Sequence, residues 1–457
     1  MQLATDHIES FTGTVLRPGD ARYDAARAVF NGAIDRRPAL IAEVADAQDV
    51  AGAVAHGREH GLEIAVRAGG HSGAGYSVVD DGLVIDLRRL QRLEVDLAAR
   101  TVRAGAGLTW GQLDAATQAH GLAVTGGRIS DTGVAGLTLG SGSGWLERLH
   151  GLTADNLVAA KVVTADGGIV RASAHEHPDL FWGLRGGGGN FGVVTELELA
   201  VHPVGPTILG GPLVFEWERG GEVLAAYRDF MRTAPDEIGG CAVLQLAPPE
   251  PFVPEDLVGK PIVSIVVTAF GDLAQAERLV APLRALRPAA DAVGPMPYVA
   301  LQSMLDAGNP SGVRNLWKAA FLDELPDSAI AAALDVAAGI PSPLTVVLLQ
   351  PLGGAYSRVA EHATALSHRD APWAYHALSL WPDAADDEAN RSWTTAFAAS
   401  LAPYGSGAAH PNYVSTDAGD RVRAFYGEET YARLVAVKRR WDPQNVFALN
   451  QNIQPGR

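Results

Sequence analysis

From position 38 to about 200, short β-branched runs alternate with segments of helical period. Pro38–Val44, Leu62–Arg67, Gly82–Leu87, Leu93–Asp96 and Thr101–Ala104 read as strands. Helices are expected at Asp49–His60, with Asp46 or Gln48 as cap and Gly61 as stop, and at Thr109–His120, with Thr109 as cap. Ala159–Thr164 and Gly168–Ala172 flank an Asp-Gly turn, which predicts a hairpin. A helix at Pro178–Leu184 and a strand at Gly192–Ala200 close this half.

Beyond about 205 the rhythm changes. Longer helical patterns at 220–234, 273–287, 326–338 and 386–402 are separated by apolar strands at Cys241–Leu246, Pro261–Ala269, Leu344–Gln350 and Trp373–Trp381. That order predicts an α+β unit built on a mostly antiparallel sheet. A last helix, Asp420–Arg440, is ended by Asp442-Pro443. No internal repeat or low-complexity segment is present.

Composition narrows the classes. The 457 residues are 47% hydrophobic, enough for sizeable cores and too apolar for wholesale disorder. Lys+Arg 36 against Asp+Glu 52 leaves −16, and no basic stripe answers a phosphate backbone, so nucleic acid is excluded as a partner. Arg88-Arg89 and Lys438-Arg439-Arg440 are short and diluted by carboxylates, and read as solvated helix faces. No Lys/Arg-rich amphipathic segment points to a membrane surface. The longest charge-free stretch, Val336 to Ser357, is broken by prolines and glycines. Cys241 is the single cysteine and the N-terminus has no apolar run, which together give a cytoplasmic expectation.

Glycine changes the picture most. There are 51, about 11% of the chain against a usual share of roughly 7%, without a G-X-Y period. Many fall in three clusters. The first, Val66-Arg-Ala-Gly-Gly-His-Ser-Gly-Ala-Gly75, follows a strand and lets successive N–H groups converge on an anion. His71 at its centre has three readings: loop packing, a phosphate hydrogen bond, or a bond to a cofactor. The second, Ser130 to Trp145, either exposes backbone along a flat polar ligand or forms a glycine-rich helix packed on a sheet. The third, Gly187 to Gly192, satisfies G-x-G-x-x-G, but a helix precedes it and a strand follows. That is the reverse of the dinucleotide fingerprint. No Walker A, nucleophile elbow or H-E-x-x-H is present. His175 and His177, before Pro178, read as turn residues, although a metal-dependent hydrolase using them with carboxylates is the rival from another class.

These clusters appear in order with Gly151-Leu-Thr-Ala-Asp-Asn156, Asp179 to Thr195, Tyr431 to Lys438, Trp441-Asp-Pro-Gln-Asn-Val-Phe447 and Asn450-Gln-Asn-Ile-Gln-Pro455. Together they resemble the berberine-bridge-enzyme-like FAD-linked oxidases of the vanillyl-alcohol-oxidase fold group. The resemblance implies a two-domain α+β, PCMH-type fold. Residues 1–205 form the FAD-binding domain (PCMH-type core about 36–205), 206–414 an inserted substrate-binding domain on an antiparallel sheet, and 415–457 a segment returning to the FAD side.

It also implies FAD held covalently by His71. The further cofactor contacts would be Arg67, Ala68, Gly69, Gly70, Ser72, Gly73, Ser77, Asp131, Thr132, Gly136, Gly140, Gly142, Val194, Asn450 and Gln451. A second cysteinyl link in some members falls at Ile129 here, so one link is expected. Thr132 takes the place of an oxygen-gating residue. Being near-isosteric with valine, it favours O2 as acceptor, with a dehydrogenase as the alternative. The expected reaction oxidises a small alcohol, amine or secondary-metabolite intermediate by hydride transfer to flavin N5, giving H2O2 on reoxidation. The family's Y-x-N-Y base segment reads Tyr413-Val-Ser-Thr416, leaving Tyr413, Tyr375 and His376 as catalytic candidates. Gln350 and Tyr375 are expected at the substrate. Strand alternation requires that only one of Tyr375 and His376 face the site.

Overall fold

The computed structural model describes residues 8–413 and 422–456. Thr416, Asp420 and the expected boundary between 414 and 415 lie outside the described residues.

The first half is built on two sheets. Leu40–Glu43, Leu83–Asp86 and Ile64–Arg67 run parallel, with Leu83–Asp86 in the middle, and Thr14–Leu16 adds an antiparallel edge. The parallel trio needs a crossover, and the helix Ala47–Glu59 supplies it, its start fixed by Asp46 accepting from the N–H groups of Gln48 and Asp49. The second sheet is antiparallel, in the order Leu93–Asp96, Thr101–Gly105, Val193–Ala200, Leu157–Val163, Ile169–Ser173. Its last two strands are the predicted Asp-Gly hairpin. The first glycine cluster leaves the carboxyl end of Ile64–Arg67, where ligands dock on open α/β sheets.

The second half is one wide antiparallel sheet. Thr207–Glu216, Pro261–Ala269, Ile238–Leu246, Val346–Pro351, Trp373–Trp381 and Arg314–Leu322 lie side by side in that order. Short strands Ala290–Asp291 and Gly294–Pro297 pair along Thr207–Glu216. One face carries Phe215, Leu244, Ile265, Leu349 and Tyr375 into a core with the helices Gly220–Met231, Leu273–Arg284, Asp327–Ala337 and Asp387–Leu401. The other face, with Val243, Val266, Leu348 and Leu378, turns towards the first half.

Three elements differ from the sequence pattern. Thr207–Glu216 contains Gly210-Gly211-Pro212, which reads as a breaker; yet the chain at Ala292 passes so close that a Cβ on Gly211 would lie 2.2 Å from its carbonyl oxygen. Arg314–Leu322 is a strand without clean alternation. The last helix is two, Val422–Tyr426 and Glu428–Trp441, broken at Gly427, whose φ is +70°.

Lys438 corrects the reading of 438–440 as a solvated face. It is fully buried, and its ammonium donates to Asp442 Oδ2 at 2.7 Å and to the carbonyls of Asn190 and Phe447 at 2.8 and 3.0 Å. Asn190 in turn accepts from Ile453 N at 2.9 Å and donates to the Gln451 carbonyl at 3.2 Å. This clamp ties the chain's end to the third glycine cluster.

A buried acid sits where the two halves meet. Asp114, on the helix Trp110–Gln118, accepts from Gln302 Nε2 at 2.9 Å, while its other oxygen has no partner. Burial pushes its carboxyl up to about 7 from 3.8. With the folded value raised, the group's contribution is fully present below pH 3.8 and is lost as pH rises towards 7. Thermal melts against pH are therefore expected to separate wild type from Asp114→Asn. The wild-type protein falls behind progressively across that window and stays behind above it; superimposed differences at all pH values would refute this.

Candidate active site

The two halves enclose a cavity of about 580 Å³. Its walls combine all three glycine clusters, the apolar sheet face and the C-terminal return. Clusters one and two meet backbone to backbone: a Cβ on Gly69 would lie 2.3 Å from Gly133 N, and one on Gly133 would lie 2.4 Å from Gly69 N. Neither position accepts a side chain, and the loop is pinned to the start of the helix Val134–Gly140. The second cluster does form a helix, and its Gly133, Gly136 and Gly140 line the cavity.

His71 lines the cavity with its ring stacked on Phe30, centroids 3.9 Å apart. Its Nε2 lies 2.6 Å from Asp131 Oδ1. A carboxylate only accepts, so Nε2 carries the hydrogen, and in the neutral imidazole Nδ1 is then the nitrogen with the free lone pair.

Tyr413 stands in the opposite wall with its ring partly open to the cavity. Arg128 lines the same cavity, and its charge acts on the Tyr413 hydroxyl. Burial pushes this phenol up, and the Arg128 charge pulls it back in part. His376 packs on the Tyr413 ring at 4.1 Å, and neither of its ring nitrogens has a hydrogen-bond partner among the described residues. Burial drives its imidazole well below its ordinary value, so it is neutral.

Residues 38–173 match the family described as FAD binding domain, and residues 409–454 match berberine and berberine like. The (R)-6-hydroxynicotine oxidase of Paenarthrobacter nicotinovorans is 35% identical, covering 98% of this chain and 97% of its own. The chain belongs to the berberine-bridge-enzyme-like FAD-linked oxidases. The crystal structure of 6-hydroxy-D-nicotine oxidase from Arthrobacter nicotinovorans aligns with this oxidase at a TM-score of 0.86 and 32% identity, over 98% of this chain and 99% of that one. A berberine-bridge-enzyme-like protein of Physcomitrella patens aligns at 0.88 and 24% identity, over 98% of each chain, which extends the likeness of fold.

FAD is the oxidase's cofactor, and the cavity fits it. Ser77 Oγ and Asn450 Oδ1 are buried polar atoms of cavity-lining residues, without a partner among the described residues. Gly136 and Gly189 line it too, and a Cβ at either would meet nothing within 4 Å, which leaves open room along bare backbone. Ala68, Gly70, Ser72, Thr132, Val194 and Gln451 complete the expected set in the wall.

Other expected residues stand elsewhere. Arg67 lies beneath the loop, its guanidinium donating to the Ala26 carbonyl, and supports Gly70 from below. Gly73 faces Trp317, and Gly142, at φ +79°, leaves room only for Thr153. Asp131 does not line the cavity and meets His71 Nε2 instead. Tyr375 points to the helix side and packs 5.8 Å from Phe397; as strand neighbours take opposite faces, His376 has the site side and Tyr375 does not. Gln350 does not line the cavity either: it is buried behind it, donating to Ser143 Oγ at 3.1 Å and to Glu147. His177 caps the helix Pro178–Leu184 in a left-handed conformation and meets Trp441 edge-on.

Arg128 and Ser143 are the residues that sequence reasoning missed, although both sit within or beside the second glycine cluster. A lone cation next to a glycine run was the available signal. No helix among the described residues is long and apolar enough to cross a membrane.

Proposed function

We propose that this oxidase takes hydride equivalents from a small alcohol or amine with a largely apolar body and passes the electrons to O2, producing H2O2. One observation carries the reading. A single cavity runs from the glycine clusters and His71 to a sheet face bearing Val243, Val266, Leu348 and Leu378, with the Tyr413 phenol among its lining side chains.

Bound FAD would supply the two-electron redox chemistry between substrate and acceptor. The chain supplies the rest. His71, with its Nε2 held by Asp131, would carry the single covalent link to the flavin, and Ile129 in the wall offers no thiol for a second. Tyr413 takes the hydroxyl or amine proton of the substrate. Val243, Val266, Leu348 and Leu378 hold its body and exclude water. An oligosaccharide would strand its hydroxyls against these side chains, at a cost of about 1–3 kcal/mol each, which favours a compact apolar substrate such as those named for the nicotine-oxidising relatives. Thr132, buried in the wall, leaves O2 room to approach.

A panel of small amines, alcohols and oligosaccharides monitored for H2O2 tests the reading, with turnover expected among compact apolar amines or alcohols and none with sugars. Rapid mixing of the reduced enzyme with O2 is expected to show fast reoxidation; negligible reoxidation would make it a dehydrogenase. Asp131→Asn is expected to lower the fraction of flavin that stays with acid-precipitated protein, because Nε2 loses its anionic partner. An unchanged fraction would remove Asp131 from the attachment.

A further inference from the structure

The wide sheet lends the cavity mostly valine, leucine and isoleucine, with polar side chains along one line. On the strand Pro261–Ala269, Val263, Ile265 and Val267 join the helix-side core, so Ile262, Ser264 and Val266 take the cavity side. Ser264 pairs with Val214 on one neighbouring strand and with Val243 on the other. It is 1% exposed, and its hydroxyl has no hydrogen-bond partner among the described residues. A buried hydroxyl between two valines is costly unless a group from outside the chain bonds to it.

Gln245 continues the line. It stands two residues beyond Val243 on the same face, about 7 Å further along the strand, and it too lines the cavity. The chain then turns out through residues 247–260. Ala247 N donates to the Lys260 carbonyl at 2.8 Å and Gly259 N to the Ala247 carbonyl at 2.9 Å, which closes this loop at its base. Val253 anchors it in a small core with Val214 and Ile262. Glu250, on the same loop, also lines the cavity. Among the described residues it is the only charged side chain that the substrate half lends to the wall, and its carboxylate makes no ion pair or hydrogen bond. Glu250 is exposed and Ser264 buried, so the line leads from the interior of the cavity to solvent.

We propose that Ser264, Gln245 and Glu250 form a polar subsite for a protonated amine on the substrate, remote from the reacting carbon. The subsite lies in the cavity already read as the substrate site and rests on that reading. It narrows the substrate to an amino alcohol or a diamine. Serine and glutamine can each accept a hydrogen bond and a carboxylate only accepts, so an ammonium, which only donates, suits all three. An apolar group leaves Ser264 unpaired, and an anionic group meets Glu250 as a like charge. Arg128 is the cation that the FAD half lends to the same cavity. A positively charged end is drawn towards Glu250 and away from Arg128, which turns the other end of the substrate inward.

The test measures binding to the FAD-loaded enzyme by calorimetry with three probes built on one ring. They are para-(aminomethyl)benzyl alcohol, para-(hydroxymethyl)benzyl alcohol and para-methylbenzyl alcohol, whose remote groups are an ammonium, a hydroxyl and a methyl. Wild-type affinity is expected to fall in that order, by about 10- to 100-fold from ammonium to methyl, the worth of hydrogen bonds to a charged group. Glu250→Gln should cut the ammonium-over-hydroxyl ratio by about two- to fivefold, as for an exposed ion pair, and remove its dependence on salt. Ser264→Ala should narrow the gap between both polar probes and the methyl probe. Equal affinity for the three probes in the wild-type enzyme overturns the subsite, and so does an ammonium preference unchanged in both variants. H2O2 release from the same probes and the wider panel keeps the two readings apart. Ordered binding with no H2O2 from any compound removes the oxidase reading and upholds the subsite; H2O2 without ordered binding removes the subsite alone.

Discussion

His71→Ala is expected to leave FAD entirely releasable by denaturation. In the wild-type protein the flavin colour should stay with the acid-precipitated chain. In the variant it should pass into the supernatant. The reasoning is geometric: His71 is the nucleophilic side chain of the first cluster, it lines the cavity, and Asp131 leaves its Nδ1 with a lone pair. The Phe30 ring stacked on the imidazole holds its orientation. FAD should still bind, because Ser77, Asn450 and the glycine backbone remain. Colour retained by precipitated His71→Ala protein would place the anchor on another residue.

Tyr413→Phe is expected to lower kcat/KM at neutral pH by about 100- to 10,000-fold, the usual worth of a positioned general base. Substrate binding should change little, since the ring and its packing on His376 survive. Burial raises the phenol, so the wild-type rate should climb with pH through the alkaline side of neutrality as the phenolate fraction grows. The variant should lack that rise. A Tyr413→Phe enzyme with near-normal rate and the same pH dependence would move proton removal to the substrate's own ionisation.

Much of the cofactor half was legible in the chain. Periodicity marked its strands, capping residues marked the starts of its helices, and the three glycine clusters showed where backbone is laid bare. These are local properties, and local rules read them. The reversed order around Gly187 to Gly192 was enough to reject a dinucleotide fingerprint, and the helix Pro178–Leu184 and strand Val193–Ala200 stand in that reversed order. The substrate half was less legible because its sheet tolerates glycine and proline where a neighbouring chain crosses close by, as at Gly211. Lys438 shows the same limit: a cation in a run of cations reads as surface, and only the carbonyls of Asn190 and Phe447, far off or around a turn, reveal it as buried.

The sequence by itself marked the strands of the first half, the change of rhythm beyond about 205 and the three glycine clusters, since these are local patterns, while a cofactor role for His71 came only with the family resemblance. Tertiary structure alone decided which strand face looks inward, which set His376 towards the site and Tyr375 away from it. It alone brought Gln350 against Ser143 and Glu147, and Tyr413 into the wall that Arg128 also lines. Those residues are far apart along the chain, and their meeting depends on how the wide sheet closes over the first half, which no local pattern encodes.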